Sequence, residues 1–157
     1  YDMIVMNTTY SWRAHASNLL SADFLRAVRP HLRPGGILYY NTTSSKSAQY
    51  TGATVFPYAL RIFNFQAVSD SPVILDKERW RESLKSYTIE GKPVLDLSDP
   101  RQRARLEEVV SITDTLHAPD PWQEMRLEDQ VSILARLKGT PITTDDNMGD
   151  EYHPGSR

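Results

Sequence analysis

The chain has 157 residues, 39% of them hydrophobic and 24% charged, a globular balance with enough length to bury one real core. A formal net charge of -2, with no Lys/Arg run, leaves no electrostatic footprint for nucleic acid. The absence of cysteine excludes disulfides, thiolate metal sites and a cysteine nucleophile, and no apolar stretch reaches the roughly 20 residues of a membrane-spanning helix.

Met3-Ile4-Val5-Met6 is a short apolar run closed by Asn7-Thr8-Thr9, the pattern of a central parallel strand buried on both faces. A chain that opens on such a strand at Tyr1 is expected to be a piece of something longer. From Ser21 the period changes. Ser21 suits an N-cap, Asp23 the first turn, and Phe24, Leu25 and Val28 form an apolar stripe, so a helix is predicted. Pro30 and the Arg33-Pro34-Gly35-Gly36 turn stop it. Ile37-Leu38-Tyr39-Tyr40 then reads as a second strand ending in Asn41-Thr42-Thr43, which completes a β-α-β unit.

Ser45 to Phe56 is predicted as a helix weakened by Thr51, Gly52 and Thr54. Arg61 to Phe65 alternates like a strand, and Gln66-Ala67-Val68 either continues it or returns as a hairpin before Asp70-Ser71-Pro72. Beyond Val73 the pattern is helical. Asp76 caps a segment with Trp80 and Leu84 at i, i+4, and Asp99-Pro100-Arg101-Gln102 is a capping-box start. That second helix turns Leu106, Val109, Val110 and Ile112 inward. After Ala118-Pro119-Asp120-Pro121-Trp122 a last helix carries Leu127, Val131, Leu134 and Leu137 and ends at Gly139. The expected organisation is an α/β unit over 1–73, a helical extension packed on it over 74–140, and a polar, partly mobile tail over 141–157.

Ligands of open parallel sheets sit beyond the carboxyl ends of the strands. Those ends are Asn7-Thr8-Thr9 and Asn41-Thr42-Thr43, amide and hydroxyl clusters that hydrogen-bond without adding charge, or that merely terminate strands. In the loop that follows the first, Trp12 offers a stacking face, Arg13 a fork for carboxylate or phosphate, and His15 a titratable imidazole. No metal site is expected: His15, His31, His117 and His153 share no ligand spacing, and Asp145, Asp146 and Glu151 lack a calcium-loop pattern. No G-x-S-x-G elbow exists, and Gly35-Gly36 precedes a strand where a dinucleotide fingerprint follows one.

Three segments resemble the spermidine synthase family of aminopropyltransferases, which share a methyltransferase-type Rossmann fold. Tyr1 to Asn7 is similar to that family's fourth strand, Asn18 to Phe24 to the start of its next helix, and Leu32-Arg33-Pro34-Gly35-Gly36-Ile37-Leu38 to the turn into its fifth strand. Asn7 to Ser21, with Thr144-Asp145-Asp146-Asn147 and Glu151-Tyr152, most resembles a bacterial branch often fused to membrane segments. The resemblance implies the C-terminal half of that fold, strands 4 onward, with a helical C-terminal extension.

It also implies a polyamine-like or other small-molecule acceptor, and decarboxylated S-adenosylmethionine or S-adenosylmethionine as the nucleoside of the intact protein. This chain alone would hold no cofactor and would be inactive, because the glycine-rich nucleoside half precedes Tyr1. A cytoplasmic location is implied, the intact protein being open to membrane anchoring. Where the family places the acids that hold and deprotonate the attacking amine, this sequence has Asn7 and Tyr10, uncharged at neutral pH. The candidate substrate-binding residues are therefore Asn7, Thr8, Thr9, Tyr10, Trp12, Arg13, His15, Asn41 and Thr42. A methyltransferase or a non-catalytic interaction domain remain alternatives. With its neighbouring strand missing, Tyr1 to Met6 is an apolar sheet edge, and a homo-oligomer through that edge is expected.

Overall fold

The computed structural model describes residues 1–7, 17–111 and 127–147. A strand β1 (Met3–Met6) runs through a 3-10 turn and a helix α1 (Ala22–Val28) to β2 (Ile37–Asn41), with which it pairs in parallel from Met3 opposite Ile37 to Met6 opposite Tyr40. A helix α2 (Lys46–Val55) then leads into a hairpin of β3 (Tyr58–Ile62) and β4 (Phe65–Ser69). β4 inserts antiparallel beside β2, which puts β3 outside it. The chain is thus a mixed α/β structure whose main sheet has the order β1-β2-β4-β3-β7, β7 being the two residues Glu128–Asp129. Of the two continuations open for Gln66-Ala67-Val68, the hairpin is the one adopted.

α1 starts as its sequence predicts. The Ser21 hydroxyl accepts from the Phe24 amide at 3.1 Å, satisfying one of the helix's orphan N–H groups. Ser21→Ala is expected to cost about 1 kcal/mol, read as a lowered urea midpoint with an unchanged slope. Gly36 is required by close approach: a Cβ there would lie 2.8 Å from the Tyr1 carbonyl oxygen.

Among the described residues, the three helices packed on the sheet share one face. Leu25 from α1, Ala48 and Ala53 from α2, and Ile133 and Leu137 from or just after α5 (Gln130–Arg136) pack with Leu38, Tyr40, Ala59 and Val68. The opposite face carries Ile37, Tyr39, Leu60, Phe65 and Ala67, all half-buried, with Tyr39 and Phe65 stacked at 5.1 Å. β1 departs from the burial on both faces that its composition suggests. Among the described residues it is the edge strand, Ile4 and Met6 meet the core, and Met3 and Val5 are 53% and 61% exposed.

The region expected as a helical extension holds three described helices. α3 (Lys77–Ser86) and α4 (Pro100–Ser111) contact each other, joined by the Arg81–Glu107 pair at 2.8 Å, around a small hairpin of β5 (Thr88–Ile89) and β6 (Lys92–Pro93). α5 instead belongs to the main core. Leu127 precedes β7 rather than a helix turn, and Val131 is exposed while Ile133 is buried. Gln102 also departs from the capping box. Its Oε1 accepts from Asp96 N at 2.7 Å, and Asp99 Oδ1 takes Arg101 N at 2.8 Å. Ile112 and Trp122 lie outside the described residues.

Residues 141–147, the described part of the expected tail, hydrogen-bond to α1 and α2 or the residues beside them. The buried Thr143 donates its amide to Thr51 Oγ1 and accepts from Ala22 N, both at 2.8 Å, and Asp145 N reaches Asp23 Oδ2 at 3.1 Å. Polar composition hid this because the hydrogen bonds are made by backbone.

Candidate functional site

β1 and β2 are adjacent and parallel, so their carboxyl ends open side by side. Asn41 Nδ2 donates to Asn7 Oδ1 at 3.1 Å, bridging the two strand ends, while Asn41 Oδ1 accepts from Thr43 N at 2.8 Å. Thr42 is fully buried. Its amide and hydroxyl both donate to the Asn64 carbonyl, at 2.6 and 2.8 Å, and Gln49 Nε2 approaches the hydroxyl at 3.5 Å. Thr42 therefore anchors the β3–β4 turn to the end of β2.

Three non-glycine residues here hold left-handed backbone: Thr43 at φ 55°, Ser44 at 62° and Phe63 at 52°. Each costs conformational energy that the surrounding bonds must hold in place. Ser44 Oγ donates to Asn64 Oδ1 at 2.7 Å, and Ser45 Oγ caps α2 by accepting from Ala48 N at 3.0 Å. Asn64 and Ser44 were not among the residues singled out from sequence. The signal available was an Asn in a short turn between alternating runs, a residue type that tolerates turn conformations.

The structure thus brings together Asn7 and Asn41, and sets Thr42 behind them. Thr8, Thr9, Tyr10, Trp12, Arg13 and His15 lie outside the described residues, as do His117, Glu151 and His153. His31 is remote from any such cluster: its carbonyl accepts from the Tyr1 ammonium at 2.7 Å. Among the described residues no group of His, Asp and Glu is placed to hold a metal, and no helix is long and apolar enough to cross a membrane.

Chemically, the described part of this site is a platform of carboxamides and hydroxyls. The only charged side chain between Asn41 and Gln49 is Lys46, in the first turn of α2, and that turn carries no acid. Asn7 and Asn41 can orient an amine or hydroxyl but cannot take its proton. No known protein family, no curated protein and no solved structure matches the chain.

Proposed function

We propose that this chain is the acceptor-side half of a spermidine synthase-like transferase domain, one that works on an adenosylmethionine-type nucleoside. The observation carrying this reading is the Asn7–Asn41 pair at the carboxyl ends of two adjacent parallel strands, where ligands of such sheets bind. The sheet order supports it further. A reversed strand, β4, wedged between the mutually parallel β2 and β3 at the sheet's end fits a methyltransferase-type Rossmann sheet from its fourth strand onward.

In this reading the decarboxylated S-adenosylmethionine or S-adenosylmethionine is gripped by residues outside these 157, and the chain alone is inactive. Asn7 and Asn41 position a small-molecule acceptor, and Tyr10, Trp12, Arg13 and His15 remain further candidates on residue type alone. A methyltransferase acting on the same fold is the second reading, favoured by the lack of a carboxylate at Asn7 and Tyr10, where the resembled family carries its acids. An acceptor that arrives uncharged needs no base to strip an ammonium proton.

Isothermal titration of the chain and of the full-length protein with both nucleosides and with methylthioadenosine tests the proposal. Binding by the full-length protein alone is expected. Turnover with the decarboxylated form would then select aminopropyl transfer, and turnover with S-adenosylmethionine methyl transfer. Binding by neither protein overturns both readings and leaves an interaction domain.

A further inference from the structure

Among the described residues, three strands running in one direction end on the same side of the main sheet. β1 leads into Asn7, β2 closes at Asn41, and β3 enters the Phe63-Asn64 turn, since β4 reverses between β2 and β3. Each end carries a carboxamide, with an oxygen that accepts hydrogen bonds and a nitrogen that donates them. A half-turn of the amide exchanges the two. Which one faces outward decides what the site can hold.

The backbone settles it for Asn7 and Asn41. The Thr43 amide can only donate, and it donates to Asn41 Oδ1 at 2.8 Å. Turning the Asn41 amide over would set donor against donor, so its nitrogen is fixed toward Asn7. That nitrogen needs an oxygen, and Asn7 supplies Oδ1 at 3.1 Å. The Asn7 nitrogen is left over, with no partner among the described residues. Asn64 has the same sense. Its main-chain oxygen takes the Thr42 amide and hydroxyl, its Oδ1 takes the Ser44 hydroxyl at 2.7 Å, and its nitrogen is left over too. Thr43 is β-branched and held at φ 55°, where such residues are rare, so the donor that starts this chain is kept in place against a conformational cost.

We propose that these strand ends form a donor face that holds a carboxylate of the substrate receiving the transferred group, and not the ammonium of a polyamine. The inference rests on the reading above that this substrate binds here. A carboxylate only accepts hydrogen bonds and an ammonium only donates them. Against the free amide nitrogens the first finds partners, whereas the second sets donor against donor and leaves both unpaired. Charge agrees with this polarity. Residues 41–49 and 62–65 hold no acid, and their one charged side chain is Lys46.

The probes are δ-aminovalerate and cadaverine, equal in length and sharing one amine, so that only the far group differs. Each is titrated at matched ionic strength into the isotope-labelled chain while NMR follows the side-chain amide protons of Asn7. δ-Aminovalerate should move them downfield saturably and bind about tenfold more tightly than cadaverine, the worth of one hydrogen bond to a charged group. Asn41→Ala keeps Asn7 but frees its amide to turn over, so most of the preference should vanish. Asn7 is exposed, and Asn7→Ala, which leaves the core untouched, should abolish the preference as well. Lys46→Gln separates charge from polarity: the preference should survive it.

Equal binding of the two probes, tighter cadaverine, no shift from either, or a preference lost with Lys46 but kept in Asn7→Ala would each overturn the proposal. These outcomes separate from those of the nucleoside titration. If the full-length protein binds nucleoside while Asn7 ignores the carboxylate, this inference alone fails. If Asn7 takes the carboxylate in a protein that binds no nucleoside, the donor face stands and the transferase reading fails.

Discussion

Gly52→Ala is expected to destabilise the protein by about 3 kcal/mol, a fall of about 6–12 °C in Tm, although alanine is the better helix former. Gly52 lies in the last turns of α2, where the helix presses onto β2. A Cβ built there would sit 1.8 Å from the Tyr40 hydroxyl oxygen, 3.1 Å from the ring carbon bearing it and 3.3 Å from Gln66 Nε2. None of these can step aside. Tyr40 is fully buried, its hydroxyl donates to Gln66 Oε1 at 3.2 Å, and Gln66 Nε2 donates to the Gln49 carbonyl at 3.1 Å. Burial pushes the Tyr40 hydroxyl pKa well up, so it stays a donor throughout the working pH range.

Propensity offers about 1 kcal/mol in favour of alanine, and overpacking against this network opposes it with more. Tyr40→Phe supplies the check. Alone it leaves Gln66 Oε1 buried without its donor and costs about 1–3 kcal/mol. In the double variant the oxygen that blocks the new methyl is gone, and the two losses should sum to less than their separate values. A Gly52→Ala protein as stable as the original would mean the helix shifts freely on the sheet, and the packing account fails.

Glu128→Gln is the second large effect, about 3–5 kcal/mol, because it leaves two guanidinium groups facing a neutral amide in the core. Glu128 is 3% exposed. Its oxygens accept from Arg61 Nε at 2.6 Å and from Arg136 Nε and Nη2 at 2.7 Å each, while Arg136 Nη2 also reaches Gln49 Oε1 at 2.9 Å. One carboxylate therefore joins β3, β7, α5 and α2. The exposed Arg105–Glu108 pair is the control, and Glu108→Gln should change stability by no more than about 0.5 kcal/mol.

Burial by itself would raise the Glu128 pKa, but the Arg136 hydrogen bonds and the Arg61 charge outweigh it and hold the carboxyl below its ordinary value. A carboxyl whose folded pKa is depressed contributes stability above its unfolded pKa and loses it as pH falls through the folded one. The gap between original and variant in urea midpoint should accordingly be full at pH 7 and shrink below about pH 4, near the unfolded glutamate pKa. A gap independent of pH down to 2 would show that the amide replaces the carboxylate at no electrostatic cost.

The local elements were legible because they rest on short-range chemistry: Ser21 and Asp76 cap as their types predict, and Arg33-Pro34-Gly35-Gly36 turns the chain into β2. What escaped was set by distant partners. Thr51 and Gly52 looked like flaws in α2, yet Thr51 receives the Thr143 amide and Gly52 admits Tyr40. Leu127, Val131, Leu134 and Leu137 suggested one helical face; Leu127 and Leu137 are buried, but Glu128 is drawn into the sheet by Arg61, the helix starts only at Gln130, and Ile133 is buried where Val131 is exposed. At the site, the Asn7 and Asn41 types were visible in the chain. Their bond across 34 residues was not, since it depends on which strands lie side by side.

The tie between Ala22 and Thr143 sets an order in time as well as in space. α1, made early, cannot lodge its first amide until a carbonyl made some 120 residues later has left the ribosome. β4 closes at Ser69, but the helix that covers the far end of the sheet ends at Arg136. At roughly 5–20 residues per second, the growing chain carries an unsealed apolar sheet for about 3–13 seconds. Chaperone demand and protease sensitivity should peak in that interval, and nascent chains released before Thr143 should be degraded where slightly longer ones survive.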